Sequence, residues 1–291
     1  MPLAAPPTAP QPLPPSGLLG DSAARDYAHK LALFNAFAAP ELRQALGNLD
    51  VGPGMHVLDA GCGTGATLRL LAQAVGPGGR AIGVDLSAAH IAAAARAELP
   101  ANALLLQGDL RTLPLAPASI DRIWCVNTIN HFQDPLETLE RLQTLLRPGG
   151  RIALGQGGLL PEMFFAWDAR LERLCNEAVR RYYRERYGVD EHRLTAVRAI
   201  AGLLRRSGLR EVSVQTHVIE RLSPLAPPDR AYLLEAIFRG TWGERLRPYM
   251  DADDHAALDR LCDPQGPEFA LDRPDFHFLQ TFTVATGRRD G

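Results

Sequence analysis

The sequence predicts an α/β fold: a mostly parallel, seven-stranded sheet with helices on both faces and helical insertions in the C-terminal half. Three observations carry this expectation. Short apolar runs alternate with segments of helical period, the pattern of βαβ crossovers. A glycine cluster, Gly61-Cys62-Gly63-Thr64-Gly65, follows the first apolar run directly. Asp85, Asp109 and Asn127 then fall at the ends of the next three runs, the edge where open sheets of this kind hold their ligands.

The elements read in order as follows. Residues 1–20 carry seven prolines in their first fifteen positions and read as a disordered tail, not as a signal peptide, since no basic n-region precedes them. From Asp21 to about Gly47, Leu31, Phe34, Phe37 and Ala38 recur at helical spacing. Met55 to Asp59 is a buried strand, and Ala66 to Val75 the helix after the glycines. Arg80 to Asp85 is the second strand; Ser87 is a natural N-cap for a helix over 88–98. Strands follow at 103–107, 120–126 and 151–155, the last after a helix from Pro135 to Leu146 that stops at Arg147-Pro148-Gly149-Gly150. Beyond them, helices are expected over 161–187, 195–208 and most of 228–262, with strands over 211–220 and 276–286.

Length and composition narrow the function. A chain of 291 residues, 46% hydrophobic, suits one domain over 21–291: a ligand-binding core over about 50–157, with helical insertions over about 158–208 and 226–275. The formal net charge of −2 gives no field that favours nucleic acid, and no apolar run is long enough to span a bilayer. Cys62, Cys125, Cys175 and Cys262 lack metal-ligand spacing, so no metal is expected, and reduced thiols in the cytoplasm are the simplest account.

The glycines let backbone approach a ligand closely. Taken alone they do not choose the ligand: G-x-G-x-G resembles the dinucleotide pattern, with Ala66 in the last position. Asp59 shifts the balance, because a carboxylate before the loop repels a pyrophosphate and suits an ammonium or sulfonium group. Asp85, at the end of the second strand, is placed to accept hydrogen bonds from ribose hydroxyls, a feature common to several adenosine ligands.

Taken together, the motifs are specific. Val57 to Gly65, Gly83-Val84-Asp85-Leu86-Ser87, Gly108-Asp109-Leu110, Asp121 to Asn127, and Leu145 to Gly150 resemble, in order, five motifs of class I S-adenosylmethionine-dependent methyltransferases. Asn130 to Pro135 is similar to the family's loop between the last two. The resemblance is strong over about 50–157 and looser over the last strands. It implies a Rossmann-like fold, S-adenosyl-L-methionine as cofactor, and methyl transfer to an oxygen, nitrogen or carbon of a small molecule. It further implies that Gly61 and Gly63 pack on the methionine part and Asp59 holds its amino group. Asp85 binds the ribose, Asp109 the adenine amino group with the Leu110 backbone beside it, and the Asn127 carbonyl meets the methionine end. Cys62, Gly65 and Leu86 complete the expected cofactor contacts.

His131 lies on the loop after the fourth strand. It is the candidate general base, since an unperturbed histidine titrates near neutrality, and packing of the loop is its other reading. Phe164, Phe165 and Trp167 read equally as substrate contacts or as core. The run Arg180 to Tyr187 reads as a solvated amphipathic helix before it reads as a nucleic-acid or lid element. The expected partners are a small-molecule substrate and at most a second copy of the chain in a homodimer, with no nucleic acid and no membrane. The alternatives to methyl transfer are a NAD-dependent oxidoreductase, disfavoured by Asp59, and a protein of the same fold that uses the cofactor for cyclisation or without catalysis.

Overall fold

Val57, Leu58 and Ala60 of the first strand are fully buried, which a strand covered on only one face would not show. In this computed structural model, which describes residues 26–157, 162–188 and 196–291, that strand lies in the middle of an eight-stranded sheet. The strands are β1 (His56–Ala60), β2 (Arg80–Asp85), β3 (Ala103–Gln107), β4 (Ile120–Val126), β5 (Leu146–Gly157), β6 (Met163–Phe164), β7 (Arg210–Leu222) and β8 (His277–Arg288). Their order is β3-β2-β1-β4-β5-β8-β6, with β7 on the other side of β8. Strands β1 to β5 run parallel, and β8 is antiparallel to its neighbours β5, β6 and β7.

Alternate side chains enter two separate cores. Val57 and Ala153 face a cluster built with α1 (Ala28–Phe37), α2 (Ala39–Gly47), α3 (Ala66–Val75) and α6 (Ala169–Tyr187). Leu58, Ile152 and Leu154 face a second cluster, with α5 (Pro135–Leu145) and α7 (Ile200–Arg206). Helix α4 (Ala88–Arg96) begins at Ser87, whose hydroxyl accepts the His90 amide at 3.3 Å, as the sequence implies.

The α/β architecture and the mainly parallel sheet agree with the sequence reading; several boundaries move. The single helix expected up to Gly47 is two helices broken at Ala38. Pro40 explains the break: it has no N–H to donate to the turn before it and is tolerated only in the first turn of a new helix. An eighth strand, β6, forms where Met163 and Phe164 pair with Leu279 and Phe278, so α6 starts at Ala169 and not at 161. Asp168 caps it by accepting the Arg170 amide. Strand β5 begins earlier than expected, at Leu146, and residues 147–150 form an irregularity with Gly149 at φ +76°. The expected helical stretch 228–262 comprises α8 (Pro227–Ala231), a π-helical segment Tyr232–Trp242, α9 (Gly243–Leu246) and α10 (Ala252–Cys262). The expected tail and parts of the 158–208 insertion lie outside the described residues. Among the described residues, no helix is long and apolar enough to cross a membrane, and no group of three or more His, Cys, Asp or Glu is placed to hold a metal ion.

Candidate active site

The carboxyl ends of β1, β2 and β4 open into one cavity of about 330 Å³. Its floor is the glycine loop. The Gly61 and Cys62 amides both donate to the Val84 carbonyl, at 2.8 and 2.9 Å, so β2 anchors the turn that leaves β1. Gly61 sits at φ +85°, and a Cβ there would lie 2.2 Å from the Thr128 hydroxyl. Only glycine permits both that dihedral and that approach of β1 to the loop after β4. Gly65 is the one expected site residue that does not line the cavity. It faces Ala94 of α4, so its small size serves helix packing.

Asp85 holds the loop from the side. Its Oδ2 accepts the Gly63 amide at 2.9 Å, and its Oδ1 accepts the Ser87 amide at 2.9 Å. His90 approaches the same Oδ1 with Nδ1 at 3.1 Å, and the two side chains are only 10% and 13% exposed. The other ring nitrogen of His90 accepts the Tyr27 amide at 3.0 Å. The N-terminal helix is thereby fixed above the cavity, which Tyr27, Leu31, Phe34 and Asn35 help to line. None of these residues carried a motif. The available sequence signal was the spacing of five between Asp85 and His90, which returns a side chain on the first turn of α4 to the strand end.

Asp59 is 2% exposed, and its Oδ2 has no hydrogen-bond partner. Burial first, and then the charge of Asp85, push its carboxyl up to about 8, against a smaller opposing effect of the Leu68 amide. A buried acceptor without a donor is costly. An ammonium group entering the cavity would satisfy it, whereas a pyrophosphate would not. Cys62 is buried under the loop, with its sulfur beside Gly83, and burial pushes its thiol well above the usual range.

Asp109 lies at the far end of the cavity. Arg111 grips its carboxylate through Nε at 3.0 Å to each oxygen and through a guanidinium nitrogen at 2.5 Å, holding the carboxyl below its ordinary value. Leu86 and Leu110 line the wall between Asp85 and Asp109. Asn127 adopts φ +55° as β4 ends; its amide donates to Gly155 at 2.8 Å and its Oδ1 accepts the Gly157 amide at 3.0 Å. That brace ties the end of β4 to the end of β5. His131 closes the 3₁₀ turn Ile129–His131 and borders the cavity, with its amide bonded to the Thr128 carbonyl.

The aromatic candidates separate. Phe164 and Trp167 are buried with Phe238 and Trp242 in the core, while Phe165 is exposed against His277. Tyr182 of α6 meets Tyr249 edge-on, with Arg181 over the Tyr249 ring, and none of these borders the cavity.

Comparison with known proteins gives a consistent picture. Residues 57–150 match the family model described as a methyltransferase domain. The chain is 31% identical over 237 residues to a nocamycin O-methyltransferase of Saccharothrix syringae, covering 76% of this chain and 81% of that one. It is 40% identical over 146 residues to a 37.1 kDa protein of a Streptomyces fradiae transposon, covering 48% of this chain and 42% of that one. A 2-phytyl-1,4-naphtoquinone methyltransferase of Thermosynechococcus vestitus is 37% identical over 107 residues, with 36% and 48% covered. The chain therefore spans less than half the length of the last two. A solved chain from the Haloferax volcanii complex of the Trm112 methyltransferase activator shares the fold at TM-score 0.54 and 19% identity, over 91% of this chain and 94% of that one.

Proposed function

The chain belongs to the class I S-adenosylmethionine-dependent methyltransferase family, and, with S-adenosylmethionine as its cofactor, we propose that it methylates an oxygen of a small organic molecule. The observation that carries the cofactor placement is the unpartnered, buried Oδ2 of Asp59 beside the glycine loop. It fits the ammonium of the methionine part. Asp85 is the ribose acceptor, Asp109 receives the adenine amino group with the Leu110 backbone beside it, and the Asn127 carbonyl faces the methionine end. Oxygen is favoured as acceptor because the O-methyltransferase relative is matched over most of both chains.

The bound cofactor supplies an already activated methyl group. The protein's task is then to align the acceptor, which proximity can make worth about 7–11 kcal/mol. An acceptor hydroxyl must also lose a proton. His131, on the cavity rim after β4, is the residue we assign to take it. The helical segments over about 158–208 and 226–275 are the elements we assign to cover the acceptor, and the cytoplasm is the compartment that suits four unbridged cysteines.

Methyl-labelled S-adenosylmethionine incubated with the protein and a metabolite extract tests this. Label is expected in a small-molecule fraction, as base-stable ether or base-labile ester. Label confined to protein or nucleic acid, or on nitrogen or carbon, would overturn the acceptor assignment.

A further inference from the structure

We propose that His90 is a positioning residue that couples the ribose-binding carboxylate to the N-terminal helix, so that filling the cofactor cavity and closing α1 over it are linked. The inference rests on the cofactor reading above for the identity of the ligand.

The chemistry follows from one ring. The Tyr27 amide can only donate, so Nε2 of His90, 3.0 Å away, is the acceptor and carries no proton. In the neutral ring the proton is then on Nδ1, which donates to Asp85 Oδ1 at 3.1 Å. One tautomer satisfies both contacts. The His90 backbone amide donates to Ser87 Oγ at 3.3 Å, which fixes where the ring starts.

The placement gives this bridge consequence. Tyr27 is the N-cap of α1, where helix donors lack partners inside the helix. The C-terminal half of α1 is held by packing: Phe37 stacks on Tyr232 at 4.2 Å and Phe34 meets the same ring edge-on. The N-terminal half relies more on polar contacts: His90 to Tyr27, His29 to Glu235 at 2.7 Å, and Lys30 to Thr241 at 3.4 Å. The last two are exposed, while His90 is buried. That half also carries Leu31, whose methyl lies 3.1 Å from where a Cβ on Gly63 would be, over the loop expected to meet the methionine part. Tyr27 and Leu31 border the same cavity as Asp85, so the helix end and the carboxylate face one ligand space. The His90 ring joins the two directly.

Two substitutions separate the two halves of the bridge. His90→Asn keeps a donor near the Nδ1 position but is too short to reach Tyr27; His90→Phe keeps volume and removes both bonds. Hydrogen exchange of residues 26–33 and titration with S-adenosylhomocysteine are the measurements. In the free protein, both variants should exchange over 26–33 about five- to tenfold faster than wild type, the effect of one buried hydrogen bond. With ligand, wild type should gain protection there and His90→Asn should gain less, with affinity within about threefold of wild type and faster ligand release. His90→Phe should lose affinity as well. Wild-type exchange in His90→Asn, free and bound, would overturn the proposal, as would equal affinity in all three proteins. Failure of the wild type to bind S-adenosylhomocysteine would instead strike the cofactor reading, and the free-protein exchange would still judge the bridge.

Discussion

Asp85 Oδ2 accepts the amide hydrogen of Gly63 at 2.9 Å, across 22 positions of sequence. The glycine loop and the end of β2 are therefore one structure, and the carboxylate that orients the loop is also the one assigned to the ribose. Asp85→Ala removes both functions. Charge-assisted bonds are worth about 1.5–3 kcal/mol each, so S-adenosylhomocysteine affinity should fall at least about tenfold. Calorimetry measures it; an unchanged affinity would refute the ribose assignment.

Asp59 makes a pH prediction. Its carboxyl is raised from 3.8 to about 8 in the ligand-free fold, chiefly by burial. Folded protein therefore keeps this proton through a range where unfolded chain has lost it. The resulting stability is complete below pH 3.8 and is lost progressively as pH rises to about 8. Asp59→Asn removes that slope, so the variant's melting temperature should gain on wild type as pH climbs from 4 to 8. An ammonium favours ionised Asp59, so ligand binding to wild type at pH 7 should release a proton and strengthen up to about pH 8. The Asn variant should bind about tenfold or more weakly and release none. Titrations in two buffers of different ionisation enthalpy check this; equal proton release in both proteins would contradict it.

Gly61→Ala places a methyl group against Thr128, where a Cβ would lie 2.2 Å from the hydroxyl, at a dihedral of φ +85°. The backbone strain alone is about 1–3 kcal/mol. The variant should melt several degrees lower and lose ligand binding. Adding Thr128→Gly removes the clash and should recover part of the stability, but not the part due to the dihedral. A single variant that melts and binds like wild type would show that the loop can move aside.

If His131 takes the acceptor proton, His131→Ala should slow the chemical step about 10²–10⁴-fold with little change in cofactor affinity. Single-turnover methyl transfer at saturating cofactor reads this directly. Near-normal rates in both His131→Ala and His131→Phe would leave alignment alone to account for catalysis.

The first four strands were readable because each is a short apolar run with a residue that chemistry marks at or just beyond its end: Asp59, Asp85, Asp109 and Asn127. Local signals also placed the Ser87 cap and the turn at Gly65. The rest depends on contacts remote in sequence. Strand β6 is two residues long and exists because β8 offers Phe278 and Leu279 as partners. His90 stands in an otherwise alanine-rich helix and was not singled out in the sequence; its meaning comes from Tyr27, 63 positions away. The Asp109 carboxylate was expected to face a ligand directly; in the fold Arg111, two positions on in the 3₁₀ turn that Asp109 caps, also claims it. The break at Ala38 was legible in Pro40.

The central claim is that this cavity is built for S-adenosylmethionine. Calorimetry with S-adenosylmethionine, S-adenosylhomocysteine and NAD under one set of conditions tests it most directly. The account predicts that the first two bind at one per chain, that Asp59→Asn and Asp85→Ala weaken both, and that NAD gives no binding heat. Binding of NAD without binding of S-adenosylmethionine or S-adenosylhomocysteine would contradict it.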